Sequence, residues 1–297
     1  MKFIKHQNID KNKWDILVKK SGQDSLYLQS WYLDAACPNW NAVVWGDYEA
    51  IMPLPTKNLW IIKKVHQPYF VQQTGIIHMP HLQLNNLLVD FLNSKLTNSF
   101  YSFRMHFSAQ SVIDVDILSK KWNFQYRKNF LLDLQNNYQI LFSNFNDNRK
   151  RNLKKGIAAG WQIEQSTDIN AAIKMYKENQ APKQKGLGND IYKVLMRIFN
   201  SCVQQNKGIL LVCKNKENVI FSYAFFIFTP FKIFYLFGTM NEEGRKHSAI
   251  SLLFNEVIKT QAGKNLKLDF EGGNLEGIGN FFTSFGAIEE EYLSIWK

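Results

Sequence analysis

Asp269 and Glu271 stand two residues apart, directly before Gly272 and Gly273, in the stretch LKLDFEGGNLEGIGNFFTSFGA at 266–287. Alternation puts Leu266, Leu268 and Phe270 on one face of a strand and Lys267, Asp269 and Glu271 on the other. Three charges on one face suit a wet cleft better than a packed core. The two glycines can turn with positive φ, or let a ligand come close to the backbone. After them Ile278, Phe281, Phe282 and Phe285 fall at i, i+3, i+4 and i+7, the apolar stripe of a short helix that Gly286 is placed to end.

Two further sets of residues have chemistry to offer. The run Arg149-Lys150-Arg151-Asn152-Leu153-Lys154-Lys155 holds five cations in seven residues. Such charges repel one another, so they either cover a solvated face or await an anion. On a helix, Arg151 and Lys155 form one row and Lys150 and Lys154 the next. The loop 182–188 places Lys185 among glycines, a composition able to meet a phosphate, although no phosphate-loop pattern is complete. In the stretch 67–77, Tyr69, Val71 and Gln73 would share one strand face and Phe70 and Gln72 the other. Paired glutamines there either hold a polar ligand through their amides or sit hydrated on an edge strand. His78 and His81 lack further ligands at metal spacing, so no metal is expected.

The elements that would position these residues follow from periodicity. Helices are expected over 12–20, 25–36, 82–96, 137–146, 149–159, 169–179, 191–205 and 245–261. Strands are expected over 42–46, 49–55, 59–64, 101–106, 126–134, 208–214, 219–229 and 232–239. The stretch 219–238 is apolar enough to resemble a membrane span. Lys232 would cost about 2.5–3.5 kcal/mol in a bilayer, and Thr229-Pro230-Phe231-Lys232 reads as a turn, so a buried hairpin is expected instead. Runs of strands beside runs of helices indicate an α+β architecture.

At 297 residues, with 45% apolar and 21% charged residues, the chain has the composition of a soluble protein of two domains. The net charge of +11 divides evenly, with 15 basic and 10 acidic residues over 1–140 and 21 and 15 over the rest. An anionic partner would therefore meet folded surface rather than a basic tail. Three cysteines at 37, 202 and 213, all in apolar surroundings, read as reduced core thiols of a cytoplasmic protein. The first ten residues lack the apolar core of a signal peptide.

Three segments, PYFVQQTGI at 68–76, NRKRNLKKGIAAGW at 148–161 and LDFEGGNLEGIGNFFTSFGA at 268–287, together resemble the FemABX peptidyltransferases and the related BioF2-like acetyltransferases. These form a branch of the acyl-CoA N-acyltransferase (GNAT-like) superfamily. The resemblance implies two tandem GNAT-like domains, expected at 1–130 and 131–297, each a mixed, mostly antiparallel sheet flanked by helices. It implies an N-acyltransferase joining an acyl or aminoacyl group to a small-molecule or peptide amine in a cleft between the domains, with a link to cell-wall precursors. No bound cofactor is implied, because aminoacyl-tRNA or acyl-CoA serves as co-substrate. Relatives that use coenzyme A carry Q/R-x-x-G-x-G/A before the long helix. Here Arg245-Lys246-His247-Ser248-Ala249-Ile250 places serine at the central glycine, which tilts the expectation towards an aminoacyl-tRNA donor.

On this reading Glu271 or Asp269 accepts the proton or orients the amine. Gly272, Gly273 and Asn274 contact substrate, Arg149, Arg151, Lys155 and Lys185 neutralise phosphates, and Tyr69, Gln72 and Gln73 line the opposite wall. The alternative is a non-catalytic RNA-binding module that uses the same cations and the aromatic strand. DNA binding and stable membrane insertion are not expected, and a monomer is the default.

Overall fold

The computed structural model describes residues 1–22, 25–59, 62–183, 188–275 and 277–297. The chain divides into two units, one formed by Met1–Lys128 with Glu291–Lys297 and the other by Asn129–Glu290.

In the first unit, β1 (Lys2–Ile4) precedes helices α1 (Lys11–Lys20) and α2 (Ser30–Ala36). Asp10 caps α1 by accepting from the Lys13 amide at 3.0 Å. Strands β2 (Asn41–Trp45), β3 (Ala50–Leu54), β4 (Thr56–Leu59), β5 (Ile62–Val65) and β6 (Ile77–His78) follow. Helices α3 (Leu84–Leu92) and α4 (Lys95–Asn98) and strand β7 (Ser102–His106) complete the run. One sheet has the order β1-β2-β3-β6, and β4, β5 and β7 lie side by side in another. One core gathers Trp14, Leu33 and Trp40, whose indoles meet edge-on at 4.6 Å. A second holds Phe91, Phe103 and Trp122.

Strand β8 (Asn123–Asp133) carries the chain into the second unit. There come α5 (Tyr138–Ser143), α6 (Asp147–Ala158), β9 (Gln162–Ser166), α7 (Ile169–Asn179), α8 (Asp190–Gln204), β10 (Gly208–Lys214), β11 (Ile220–Phe228) and β12 (Lys232–Met240). They are followed by α9 (Glu242–Lys246), α10 (Ala249–Gln261), β13 (Lys267–Asp269) and α11 (Ile278–Thr283). The sheet order is β8-β13-β12-β11-β10-β9, parallel only between β12 and β13. The last strand, β14 (Ile288–Trp296), ends in the first unit, where Ser294–Trp296 pair antiparallel with β7.

The apolar stretch around Lys232 is the hairpin of β11 and β12, closed where the Thr229 amide donates to the Lys232 carbonyl and the Lys232 amide donates to Thr229 Oγ1. Among the described residues no helix is long and apolar enough to cross a membrane. The three cysteines are free, and burial pushes the Cys202 and Cys213 thiols up to about 12.

Two local expectations change, and one strand was not anticipated. The segment 68–76 is not a strand: Tyr69 and Phe70 form a turn with Phe70 at φ 60°, and Thr74 makes a single bridge to Phe107. The helix expected over 245–261 is two helices broken at Ser248, which takes a left-handed φ of 56°. Strand β9 pairs with β10 although its own residues are mostly polar, as an edge strand allows.

A buried acid pair beside a glycine turn

The short strand β13 ends at Asp269 because the next residues leave the extended region. Glu271, Gly272 and Gly273 have φ of 55°, 82° and 120°, three left-handed residues in succession. Glycine adopts such angles freely, whereas glutamate there is strained by about 1–3 kcal/mol. Gly273 has a second reason to be glycine, since a Cβ would lie 2.2 Å from the Phe130 ring. A Cβ on Gly272 would meet nothing within 4 Å, which leaves open space beside its backbone.

The expectation that Asp269 and Glu271 line a wet face is corrected, because both carboxyls are buried. Asp269 is 2% exposed. Its Oδ1 accepts from the Glu271 amide at 3.1 Å, and Lys232 Nζ lies 3.7 Å from Oδ2. Burial pushes Asp269 up to about 6, while Lys232, the Glu271 amide and Asn129 oppose the rise. Glu271 as a residue is half-buried, yet its Oε1 is shut off from solvent and has no hydrogen-bond partner. Desolvation raises its pKa well above the usual carboxylate value. Asn129, fully buried on β8, ties the turn together: its Oδ1 accepts from the Gly272 amide at 3.3 Å and its Nδ2 donates to Glu290 Oε1 at 2.8 Å. Asn129, Glu290 and Lys232 surround the acid pair, and sequence reasoning did not find them as its neighbours. Their partners lie 37 to more than 100 positions away, so no local pattern marks them.

Behind the turn, Phe270, Phe282 and Phe285 are buried around Phe254. Ile278, expected in that apolar stripe, is 38% exposed at the start of α11. Gly286, at φ 81°, follows the helix as expected. Asn274 is exposed just past the glycines.

The basic helix α6 does not present all its cations. Arg149 is 4% exposed and faces inward. Its Nε donates to Ser284 Oγ at 3.0 Å and its Nη1 donates to Ser251 Oγ. Its guanidinium stacks 4.4 and 4.5 Å from the centres of Phe281 and Phe285. Arg149 is therefore a brace between α6 and the aromatic helix after the glycine turn, which corrects its expected role as a phosphate ligand. A signal was present: Arg149, Leu153 and Gly156 are spaced i, i+4 and i+7, the buried stripe of this helix. Gly156 lets α6 close on α10, since a Cβ would lie 2.8 Å from Leu252. Arg151, Lys154 and Lys155 are exposed. Arg151, Lys150 and Lys154 rim an apolar hollow of about 540 Å³ floored by Phe142, Leu153 and Ile157. No contact brings these cations to Asp269 or Glu271 among the described residues. Lys185 lies outside the described residues.

In the first unit the two glutamines satisfy each other. Gln73, nearly buried, donates to Gln72 Oε1 at 2.8 Å and accepts from the Ala109 amide at 2.8 Å. Tyr69 is 37% exposed on the turn. Among the described residues no group of three or more His, Cys, Asp or Glu side chains gathers as a metal site would.

No family model matches the sequence, and no curated protein matches it either. Solved structures do. FemX aligns over 99% of this chain and 97% of its own at 14% identity, with a TM-score of 0.67. A conserved protein of unknown function from Bacteroides thetaiotaomicron aligns over 97% and 98% at 11% identity, with a TM-score of 0.62. L-PGS from Bacillus licheniformis aligns over 97% and 92% at 11% identity, with a TM-score of 0.55. The chain thus shares its overall fold with FemX over nearly its whole length.

Proposed function

We propose that this protein, built on a FemABX-type acyltransferase fold, is an N-acyltransferase that moves an acyl or aminoacyl group onto an amine, with Glu271 as the proton acceptor. The observation that carries this reading is the Glu271 carboxyl, buried with one oxygen unpartnered beside a glycine turn that leaves open space. An unpartnered buried oxygen is destabilising in the free protein, and a substrate N–H donor placed against it would satisfy it.

The chemistry follows from those groups. An amine attacks the acyl carbonyl carbon, the C–N bond forms, and the carbonyl oxygen becomes an oxyanion. The nitrogen must lose one proton, and a carboxylate whose pKa burial raises takes it more readily than an ordinary one. Collapse of the intermediate breaks the carbonyl bond to the donor's oxygen or sulfur, and the proton leaves with that group. Backbone N–H groups at a strand end can hold the oxyanion without an added side chain. Asp269 positions Glu271 by accepting from its amide. Exposed Arg151 and Lys155 are the cations left to meet donor or acceptor phosphates. Ser248 keeps the left-handed turn before α10 that a glycine would make, but adds a side chain there. This favours aminoacyl-tRNA over coenzyme A as the donor, and a cell-wall precursor amine is the acceptor class that the reading favours.

The test offers the full chain a charged tRNA, an acyl-CoA and a panel of amines, and compares it with Glu271→Gln. Product formation that falls about 100-fold in the variant supports the assignment. Equal rates remove Glu271 from proton transfer. Whichever donor binds at 100 times its Kd should stabilise the fold by about 2.7 kcal/mol.

A further inference from the structure

Strand alternation gives the β5, β7 and β14 region of the first unit two faces. Val65, Phe103, Met105, Leu293 and Ile295 are buried in its core. On the other face the register sets Lys64 opposite Ser102, His106 opposite Ser294, and Arg104 opposite Trp296. This face borders a cavity of about 470 Å³ whose cationic side chains are Lys64, Arg104 and Arg127, with His66 and His106 beside them; Lys297 also lines it, but its Nζ donates to the Thr97 carbonyl. No Asp or Glu side chain is among its described lining residues.

A half-exposed sheet face ordinarily mixes signs, because like charges on neighbouring strands repel. Here the cations are held by neutral partners. Lys64 lies over the Tyr101 ring at 5.4 Å, the Arg104 guanidinium over Trp296 at 5.4 Å, and Arg127 Nε donates to Tyr292 Oη at 3.3 Å. Rings and a phenol orient these groups without cancelling their charge. The two histidines add hydrogen-bonding capacity rather than charge. His106 Nδ1 sits 2.9 Å from the Gln72 carbonyl, which can only accept, so the neutral ring carries its hydrogen on Nδ1 and keeps Nε2 as an acceptor. His66 Nδ1 is buried without a partner. Burial holds both imidazoles uncharged at neutral pH, each near 4.

We propose that this cavity is an anion site of the first unit that takes a small molecule through its phosphate group. Two guanidiniums offer the planar forks that match phosphate oxygens. A neutral imidazole acceptor suits a hydroxyl on the same ligand, and the volume is that of a small-molecule site. The site rests on no step of the transfer chemistry above and can be tested without an acyl donor.

The experiment is titration calorimetry of the full-length protein with inorganic phosphate, pyrophosphate, ribose 5-phosphate and AMP, at two salt concentrations. Saturable binding of pyrophosphate is expected, weakened at least tenfold by Arg104→Met and by Arg127→Met and unchanged by Lys174→Met, an exposed cation of the other unit. Thermal melts check that each variant folds, and Lys64→Met on the short strand β5 serves as a further variant. AMP binding more tightly than phosphate supports a nucleotide ligand, and equal affinity supports recognition by the phosphate alone. No saturable binding overturns the proposal. So does binding that Lys174→Met weakens and the first-unit variants leave intact.

Discussion

The two units treat charge in opposite ways. Around its glycine turn the second buries it: Asp269, the Glu271 Oε1 and Arg149 lie inside, and the acids are pushed towards their neutral forms. The first displays it: Lys64, Arg104 and Arg127 surround an open cavity, and only the histidines among them are held uncharged by burial. Buried charge is expensive and must be kept for a purpose, either bracing or chemistry, whereas displayed charge of one sign is cheap and waits for a counter-ion. The bracing and the chemistry can be separated by substitution.

Arg149→Ala should have the largest effect. It removes two hydrogen bonds and two ring contacts from a packed site, and should lower the stability of the second unit by about 3–5 kcal/mol in denaturant unfolding. A loss below 1 kcal/mol would show that Arg149 is not a brace. Next comes pH. The Asp269 pKa is raised from 3.8 to about 6 by folding, so the folded state holds the proton more tightly than the unfolded chain. Stability is then greatest below about pH 4 with respect to this group and falls as pH rises to 6, by about 3 kcal/mol in total. Asp269→Asn should flatten much of that slope. Glu271, shifted in the same direction, supplies a further part with the same sign.

Glu271→Gln should reduce turnover about 100-fold, close to 2.7 kcal/mol of barrier, while unfolding changes little or improves. The glycines sharpen the contrast at a smaller scale. Gly273→Ala meets the Phe130 ring and an unfavourable φ, and should destabilise by about 2–3 kcal/mol, whereas Gly272→Ala meets strain alone, about 1 kcal/mol. Arg151→Met should sit at the bottom of the scale, within about 0.5 kcal/mol in stability, yet weaken binding of a phosphate-bearing donor. If it unfolds the protein as Arg149→Ala does, the division between bracing and displayed cations on α6 is wrong.

Much of the fold was legible because its elements are periodic. Helices α1, α7 and α8 and strands β10, β11 and β12 lie where apolar spacing puts them. The glycine turn and the aromatic residues behind it were also readable, since positive φ and i, i+3, i+4 spacing leave local marks. What was not legible depends on partners far apart in sequence. Asn129 meets Gly272 and Glu290 across more than a hundred residues. The final strand pairs with β7 rather than with anything near it in sequence. Cations on α6 advertise solvent by composition, and only the coincidence of Arg149 with Leu153 and Gly156 on one stripe shows that one of them points inward. The strand expected at 68–76 failed for a related reason: alternating apolar and polar residues are also compatible with an irregular segment whose amides bond each other.

Position 271 holds an L-residue in the mirror-handed half of backbone space. Glycine there would relax the chain and remove a desolvated acid in the same step, so heat tolerance and turnover pull this codon in opposite directions. A laboratory selection for thermal survival alone should drift towards glycine at this position, and the survivors should be robust and inert.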